Sequence, residues 1–341
     1  TEPAISLSQL ANLDLGWEKS RSVNIGLDLT FARRFSLSLE YFDKHTTDLL
    51  MAVPVSYNYA VDTRQGNSGE LSNRGFEAEL HAIDLLNSKS LRWDLDFSLT
   101  KIRSRVESLP NGDIINGPKS LYIYRAGQDV YSFYLPTWLG VATGLGRFLI
   151  DPTKPAEPSN ITYRYDEAGR APTKSAYPKV YGGLTNTLSY GGFTLSALVT
   201  YQFGGHLLEG SSHYVKGDGR RLGVLNQVKE LVGNYWTPTN TGASNPLPIF
   251  NSPLNSGEWS TRTIYSTDFI RLKELSLSYA LPKKVTDVLR LSSLRLSLTA
   301  NNLLYLYAAT KDKELEVPIN GFRALDVPSL RTISFGLNVG F

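Results

Sequence analysis

The chain contains repeated segments in which apolar and polar residues alternate one by one. The last segment has a wholly apolar face opposite a small or polar one: Ile333, Phe335, Leu337, Val339 and Phe341 against Thr332, Ser334, Gly336, Asn338 and Gly340. Successive side chains of a strand point to opposite faces, so this pattern predicts a strand with one apolar face. Eight further segments alternate in the same way, which gives nine predicted strands; the eight are Val23–Phe31, Phe35–Tyr41, Phe76–Ala82, Trp93–Leu99, Val180–Tyr190, Phe193–Phe203, Leu275–Leu281 and Leu294–Ala300.

The lengths of the strands and of their connections favour a membrane barrel over a soluble sandwich. Most segments run for about ten residues, the length of a tilted transmembrane strand. The connections alternate between short ones, at Ala32–Arg34, Asn87–Ser90, Gly191–Gly192 and Pro282–Arg290, and long ones, at Ala52–Ser68, Pro110–Tyr177, Gly204–Thr267 and Ala308–Val327. Short periplasmic turns opposite long outer loops are typical of outer-membrane barrels.

Aromatic residues support the same interpretation. One predicted girdle lies where the strands meet the short turns, at Phe31, Phe35, Trp93, Tyr190, Phe193, Tyr279 and Phe341. A second, looser girdle is predicted at the other interface, formed by Tyr41, Tyr201, Phe203, Phe269 and Tyr305. The stripes between the girdles carry no Asp, Glu, Lys or Arg, as expected for a face in contact with lipid.

Arg271 and Lys273 fit this pattern less well, because strict alternation from Leu275 would place both charged side chains on the outward, apolar face. Either both residues lie above the bilayer on the outer side, or a β-bulge shifts the register of the strand. The sequence leaves both explanations open.

The predicted sheet has two edges, at Trp17–Phe31 and Arg331–Phe341, and an odd number of strands. Backbone groups in lipid must all be paired, and antiparallel closure generally needs an even number of strands. We therefore expect the remaining strands to come from a longer polypeptide or from a second chain. Residues 1–16 are then expected to be the remnant of an outer loop.

Composition excludes several classes of protein. The 341 residues include no cysteine, so disulfides and Cys-based metal or redox sites are excluded. The net charge of +3 is small and the charges are interspersed, so no nucleic-acid footprint is present. The most apolar run, Leu135–Ile150, contains Pro136 and Arg147 and is shorter than the roughly 20 residues that a transmembrane helix needs.

Several segments resemble, in order, consecutive strands of the SusC/RagA-type TonB-dependent transporters. They are Leu13–Leu29 (LDLGWEKSRSVNIGLDL), Phe35–Leu50, Ser72–Leu80 (SNRGFEAEL), Tyr177–Gly205, Asp268–Pro282, Leu294–Leu304 and, for the last strand, Pro328–Phe341 (PSLRTISFGLNVGF). The resemblance covers essentially all of residues 1–341. It implies an all-β fold, an antiparallel transmembrane β-barrel, in which this chain forms about the nine C-terminal strands of a 22-stranded barrel domain.

The resemblance also implies a function and partners. Transporters of this type import oligosaccharides or oligopeptides across the outer membrane of a Gram-negative bacterium, with energy that TonB delivers to an N-terminal plug. A SusD-like surface lipoprotein covers the barrel as a lid. The expected partners are therefore the remaining strands and plug, the lipoprotein, TonB through the plug, and outer-membrane lipid. No cofactor and no nucleic acid are expected.

No side-chain arrangement predicts catalysis. The four histidines are never paired at ligand spacing, so no metal site is predicted; they are His45, His81, His206 and His213. Two carboxylate pairs face the predicted lumen, Glu77 with Glu79 and Asp94 with Asp96. Paired acids can do acid–base chemistry, but in a wet pore they are more often solvated lining. The chain is predicted not to be an enzyme.

The long loops contain the candidates for contact with a ligand or with the lid. They are Tyr122, Tyr124, Tyr131, Tyr134 and Trp138 in the longest loop, and Tyr214, Tyr235, Trp236 and Trp259 in the next. Rigid aromatic side chains suit stacking on sugars or packing on peptide side chains. The alternative is that they hold the loops together or bind the lid. Apolar spacing also predicts a short surface helix over Leu222–Val232.

Three functional classes stay open at this point. The first is an active importer of a large oligomer through a plugged barrel. The second is a passive porin or lipid-transport barrel, which a strand count of about 16 or 18 would favour. The third is a surface adhesin or secretion component with a permanently blocked lumen. The sequence does not distinguish a glycan ligand from a peptide.

Overall fold

The computed structural model describes residues 10–55, 61, 63–86, 91–311 and 314–341. The predicted turn at Asn87–Ser90 lies outside the described residues. The same is true of residues 1–9 of the predicted loop remnant and of part of the predicted loop Ala52–Ser68.

Strands dominate the regular structure. In chain order they are β1 Lys19–Phe31, β2 Phe35–Thr47, β3 Leu50–Pro54, β4 Thr63–Asn67, β5 Glu70–Ala82, β6 Leu91–Ser108, β7 Ile114–Asn116, β8 Tyr122–Tyr124, β9 Ser132–Pro136, β10 Trp138–Ala142, β11 Leu145–Leu149, β12 Ile161–Thr162, β13 Arg170–Ser175, β14 Val180–Tyr190, β15 Phe193–Phe203, β16 His206–Glu209, β17 Ile264–Ser266, β18 Phe269–Ala280, β19 Ser293–Ala308, β20 Phe322–Arg323 and β21 Thr332–Gly340. The helical elements are short: α1 Ser212–Val215, α2 Lys283–Val288, and 3-10 turns at Pro118–Ser120, Pro158–Asn160, Tyr165–Glu167, Lys229–Leu231 and Thr261–Thr263.

Nine of the strands form one antiparallel sheet, in the chain order β1-β2-β5-β6-β14-β15-β18-β19-β21. They are the nine strands that the alternating pattern predicts, so that prediction is confirmed. Several extend beyond the predicted alternation; β6 has 18 residues and β19 has 16. Within the described part of the chain, β1 and β21 each pair on one side only, so the sheet is an open portion of a barrel wall.

The connections between neighbouring wall strands alternate in length, as predicted. Gly191–Gly192 joins β14 to β15, whereas residues 109–179 separate β6 from β14. Both glycines have positive φ, 55° and 90°, which a two-residue hairpin turn requires. The wall therefore has one rim of short turns and one rim of long connections, called here the loop rim.

The two faces of the wall differ in chemistry. On the outward face, the register places Leu184 between Phe97 and Val199 in the middle of their strands. On the inward face, neighbouring hydroxyl groups pair across strands, as Ser276 does with Thr299 at 3.0 Å. The outward face suits hydrocarbon, and the inward face suits a wet lumen.

Aromatic side chains near the short turns pack in pairs across neighbouring strands. The rings of Phe31 and Phe35 stack with centroids 5.0 Å apart, and those of Phe193 and Tyr279 stack at 4.2 Å. Tyr190 belongs to the same set and is exposed on the outward face. These residues agree with the first predicted girdle.

A β-bulge in β18 explains the two charged residues that do not fit the outward pattern. Glu274 pairs with Leu198 and Leu272 pairs with Val199, so Lys273 has no counterpart on β15. The extra residue reverses the parity of the strand on its loop-rim side. Arg271 therefore faces inward, and the bulge is the correct one of the two explanations.

The inward-facing Arg271 holds the last long connection against the wall. Its Nη1 lies 2.8 Å from a carboxylate oxygen of Glu314 and 3.1 Å from one of Glu316, and its side chain is only 4% exposed. Lys273 forms a further ion pair with Glu316. Charges placed this deeply need partners, and the connection supplies them.

The same bulge makes part of the second predicted girdle wrong. Phe269 is buried in a cluster with Leu207 and Leu315 rather than exposed to lipid. Tyr305 pairs with Arg271 and donates its hydroxyl hydrogen to Glu314, so it also faces inward. For Phe269 the sequence pattern could not show this, because the residue inserted in β18 exchanges the two faces of that strand. Tyr305 lies on β19, where the alternation of Leu294–Ala300 already places it on the inward face.

Substitution of Leu184 by arginine tests the assignment of the outward face. A charge at mid-membrane on the lipid face costs about 2–4 kcal/mol, so Leu184→Arg should lower the free energy of unfolding of the complete barrel by that amount. The matched control is Thr185→Arg, one residue along on the inward face beside Asp96. Urea titrations in lipid vesicles measure both variants. Equal losses in the two would contradict the assignment.

Candidate functional site in the loop layer

The long connections fold into small sheets at the loop rim, called here the loop layer. One sheet has the order β13-β9-β8-β7, a second the order β10-β11-β12, and a third the order β17-β16-β20. In the third sheet, β20 from the last connection pairs in parallel with β16 from the preceding one. Backbone hydrogen bonds thus tie separate connections into one layer.

A hydrophobic core holds the loop layer together. This loop core consists of the buried residues Leu121, Tyr122, Phe133, Leu135, Ala176, Leu208 and Trp259. The Tyr122 hydroxyl donates to the Asn320 carbonyl at 2.8 Å, and the Trp259 indole N–H donates to the Gly210 carbonyl at 2.9 Å. The polar tips of both aromatics therefore have partners, as burial requires.

Two of the predicted contact residues, Tyr122 and Trp259, lie inside this core and are 4% and 6% exposed. Their rings pack against protein, which is the alternative role considered for the loop aromatics. Burial, together with the neighbouring Tyr124 and Tyr131, raises the pKa of Tyr122. Its phenol is therefore neutral at physiological pH, and its hydroxyl serves as a hydrogen-bond donor to a neighbouring connection.

Two other predicted residues, Tyr124 and Tyr131, come together at a hollow of about 290 Å³ between the wall and the loop layer. Their ring centroids are 6.5 Å apart. The rest of the lining is mostly apolar and includes Leu49, Met51 and Tyr177. This tyrosine-lined hollow is a place where an apolar part of a ligand could pack.

A second hollow of about 440 Å³, called here the loop cavity, is more polar. It contains the predicted residue Trp138; the other lining residues are Lys216, Glu230, Asn234, Ser244, Asn245, Gly257, Arg262, Thr263 and Tyr265. The Arg262 guanidinium lies over the Trp138 ring, 4.8 Å from its centroid. An aromatic surface and a cation are thus presented side by side.

Arg262 is fixed in position by a buried ion pair. Its two terminal nitrogens lie 2.7 and 2.9 Å from the carboxylate oxygens of Asp218, and one of them also donates to Asn245 at 2.8 Å. Lys216 donates to the hydroxyl of Tyr265 at 3.0 Å, and burial raises the pKa of that phenol. The terminal N–H groups of Arg262 are all engaged by Asp218, Asn245 and the Ser256 carbonyl, so the cavity presents a fixed cation beside an aromatic ring rather than free donors.

The remaining four predicted residues line neither hollow. Tyr134 lies in β9 opposite Pro172. Tyr214 packs on His213 and under the Arg221 guanidinium, which is 4.7 Å from its ring centroid; the remaining two, Tyr235 and Trp236, adjoin the loop cavity through Asn245. Tyr235 and Trp236 are therefore joined to the loop cavity by backbone contacts with Asn245.

Sequence reasoning missed the polar half of the loop cavity. Asp218 and Arg262 are 44 residues apart and belong to no motif. The glycines on either side of Asp218 mark a turn, but a turn does not reveal which side chain it will meet. Only the folding of the connection brings the pair together.

The helix predicted over Leu222–Val232 is wrong. That segment consists of turns, with a single 3-10 turn at Lys229–Leu231. Gly223 has a φ of 83°, a left-handed conformation that interrupts any helix there. Short isolated helices are also marginal in water, so apolar spacing alone did not determine the structure.

Within the described ranges, no group of three or more His, Asp or Glu side chains is placed to hold a metal ion. No helix found there is long and apolar enough to cross a membrane. Instead of a metal site, His81 on the inward face pairs with Asp96, with 2.7 Å between Nδ1 and a carboxylate oxygen.

Removal of Asp218 tests whether the buried pair organises the loop cavity. Asp218→Ala leaves the Arg262 charge buried without its carboxylate, which typically costs about 3–5 kcal/mol. We expect hydrogen exchange in β17 to accelerate accordingly in the complete protein. The exposed pair of Arg125 and Asp113 is the control, because Asp113→Ala should cost about 1 kcal/mol or less. Unchanged protection in Asp218→Ala would contradict the role of the pair.

Acidification should loosen the loop layer through His206. Burial lowers the pKa of this half-buried side chain, while its N–H donates to the Ser175 carbonyl at 3.2 Å. The unfolded chain, in which this pKa is ordinary, therefore binds a proton more readily than the folded chain. The contribution of neutral His206 to the folding free energy is fully present above the ordinary pKa of 6.5 and decreases as the pH falls below that value. Protection factors of β16 between pH 7.5 and 5 measure this. His206→Asn keeps a donor without the titration and should flatten the profile; an equally steep profile in that variant would contradict the assignment.

Comparison with known proteins agrees with this architecture. A family model described as "TonB dependent receptor-like, beta-barrel" matches residues 3–226. The TonB-dependent receptor P3 of Formosa agariphila is 27% identical over 99% of this chain and 35% of its own length. The TonB-dependent receptor SusC of Bacteroides thetaiotaomicron is 33% identical over 35% of this chain and 12% of its own length.

The solved structures extend the comparison to three dimensions. The match to the structure of the RagAB peptide transporter covers 100% of this chain and 38% of the transporter chain, with a TM-score of 0.83 and 25% sequence identity. The chain spans about a third of the length of the relatives that it matches over nearly its full length. These relatives are receptors and transporters rather than enzymes, in agreement with the expectation from the sequence. The chain therefore belongs to the TonB-dependent receptor-like β-barrel family, and within it to the SusC/RagA type.

Proposed function

We propose that residues 1–341 form the C-terminal part of the barrel of an outer-membrane importer in a Gram-negative bacterium. This importer takes up oligosaccharides or oligopeptides with energy delivered by TonB to a plug, and a SusD-like lipoprotein covers it. The single observation that carries the proposal is the likeness of wall and loop layer together to the RagAB peptide transporter, with a TM-score of 0.83 over 100% of the chain.

The chemistry of the two faces supports a role in transport. Lipid contact explains the uncharged outward stripes, whereas the inward face carries hydroxyl and charged groups that water can solvate. A wall of this kind suits a wide barrel that about 22 strands close, which leaves room for a plug. The remaining strands and the plug are part of the proposal.

The loop layer is the proposed place of ligand or lid contact. Its half-buried aromatic side chains lie beside the fixed Arg262 cation of the loop cavity, an arrangement that suits stacking next to a positive charge. The residues proposed for contact are Tyr124, Tyr131, Tyr134, Trp138, Tyr214, Tyr235 and Trp236. Tyr122 and Trp259 are proposed to position them from the loop core.

Uptake by cells that carry the complete transporter tests the proposal. Cells that lack the transporter should regain uptake of a fluorescently labelled oligopeptide or oligosaccharide when it is restored, and only when TonB is present. Uptake without TonB would favour the passive porin. Restoration of surface binding without uptake would favour the adhesin.

The Trp138→Ala variant tests the site. Loss of an aromatic contact worth about 0.5–1.5 kcal/mol should reduce uptake at low substrate concentration by about two- to tenfold. The matched control is Tyr163→Ala, an exposed aromatic in the same connection. Barrel assembly, measured by heat-dependent migration on a gel, should be unchanged in both. Equal uptake by the two variants would contradict a ligand role for Trp138.

A further inference from the structure

On β1, β2, β5 and β6 the outward face changes from apolar to charged over three neighbouring rows of residues near the loop rim. The first of these rows aligns Ile25, Tyr41 and Phe76 across three strands and ends at Lys101 on β6. In the same register, the next row aligns Val23, Asp43, Arg74 and Arg103, and the row after it begins with Arg21 beside His45. The six cations that follow the apolar face, called here the rim patch, are Lys19, Arg21, Arg74, Lys101, Arg103 and Lys179.

Two adjoining hollows show that the rim patch is continuous. A hollow of about 690 Å³ contains Lys19 and Arg21, and a hollow of about 560 Å³ contains Lys101, Arg103 and Lys179. Tyr41 and Arg74 line both hollows. Among the described residues that line the two hollows, Asp43 is the single one with a carboxylate.

Several of these cations have carboxylate partners that lie outside the two linings. Lys19 binds Asp48 at 2.9 Å, Arg74 binds Glu107 at 3.8 Å, and Asp129 binds Arg103 at 3.3 Å and Lys179 at 3.9 Å. The side chains of Arg74, Arg103 and Lys179 are nevertheless 53%, 57% and 60% exposed. The carboxylates orient these cations without covering them.

Arg21 and Lys101 are different. Neither forms an ion pair within 4.0 Å with another residue of the described ranges. Lys101 is aligned with Phe76 on one side and Val180 on the other, at the upper edge of the apolar face. A lysine in this setting lays its stem along apolar neighbours and raises its ammonium group to the polar layer.

We propose that the rim patch binds the phosphate groups of an anionic lipid in the outer leaflet. The acyl chains would lie along the row of Ile25, Tyr41 and Phe76, and the phosphates would meet the cations directly above that row. Arginine and lysine are the side chains that bind phosphate by charge-assisted hydrogen bonds. With strands about 4.8 Å apart, β1 to β6 spans roughly 14 Å, which is wide enough for more than one phosphate.

The position of the patch favours lipid over a dissolved anion. A free phosphate ion gains nothing from an adjoining apolar face, whereas a lipid is held by both parts at once. The inference extends beyond import, because it requires only that the loop rim lies at the outer leaflet. A failure of the import experiment would therefore leave it standing.

The test is binding of a lipid to the complete transporter, purified in a neutral detergent. The probe is doubly phosphorylated lipid A, and its dissociation constant is measured by native mass spectrometry. In the double variant Arg21→Gln/Lys101→Gln, no ion pair between described residues is broken. With about 1 kcal/mol for each cation at an anionic surface, affinity should fall about 30-fold.

Two comparisons make the result specific. Lys44→Gln removes one cation at the same height from the inward face of β2, and it should leave affinity within about twofold. Lipid A without phosphates should bind the native protein at least as weakly as phosphorylated lipid A binds the double variant, because it loses contact with all six cations. Heat-dependent migration on a gel shows that each variant is folded.

The outcomes that overturn the proposal are equally definite. Unchanged affinity in the double variant, or an equal loss in Lys44→Gln, would remove the rim patch as the site. Competition by inorganic phosphate at the same concentration as the lipid would reduce the patch to a simple anion site. Equal binding of dephosphorylated lipid A would show that the acyl chains alone are recognised.

Discussion

The pairing of backbone hydrogen bonds in hydrocarbon is the constraint on which the rest of this structure depends. An N–H or C=O group without a partner costs several kcal/mol in lipid, so each crossing segment must lie beside another strand. The nine wall strands meet this requirement with consecutive antiparallel neighbours. Once the backbone is fixed in this way, alternate side chains must face lipid and lumen, and the two faces acquire opposite chemistry.

The same constraint explains why the wall departs from regularity where it does. Arg271 would face lipid in an unbroken β18, and a charge in that position is costly. The bulge at Lys273 turns Arg271 inward, where Glu314 and Glu316 neutralise it. The irregularity thus converts an unfavourable charge into an attachment point for the last long connection. One inserted residue thereby links the wall to the loop layer.

Beyond the loop rim, the protein follows the rules of a soluble domain. Tyr122, Phe133 and Trp259 bury their rings in a core made from separate connections, and hydrogen bonds to Asn320 and Gly210 satisfy the polar tips. Other aromatics, such as Trp138, lie outside this core and line a hollow beside the buried ion pair of Arg262 and Asp218. A rigid layer of this kind presents a preformed surface, which favours the ligand or lid contact proposed for it. Between layer and wall lies the rim patch, where both environments meet.

The sequence by itself determined the wall: its nine strands, their order, the alternation of short and long connections, and the girdle that includes Phe193 and Tyr279. The alternation of apolar and polar residues in a strand depends only on neighbouring positions, and contact with lipid requires it in every wall strand. It can therefore be read from the order of the residues alone. Only the tertiary structure decided the inward position of Phe269, the burial of Tyr122 and Trp259, and the pairing of Asp218 with Arg262. These features depend on one bulge and on contacts between residues far apart in the chain. No local pattern encodes such contacts, because their energy arises only when separate connections pack together.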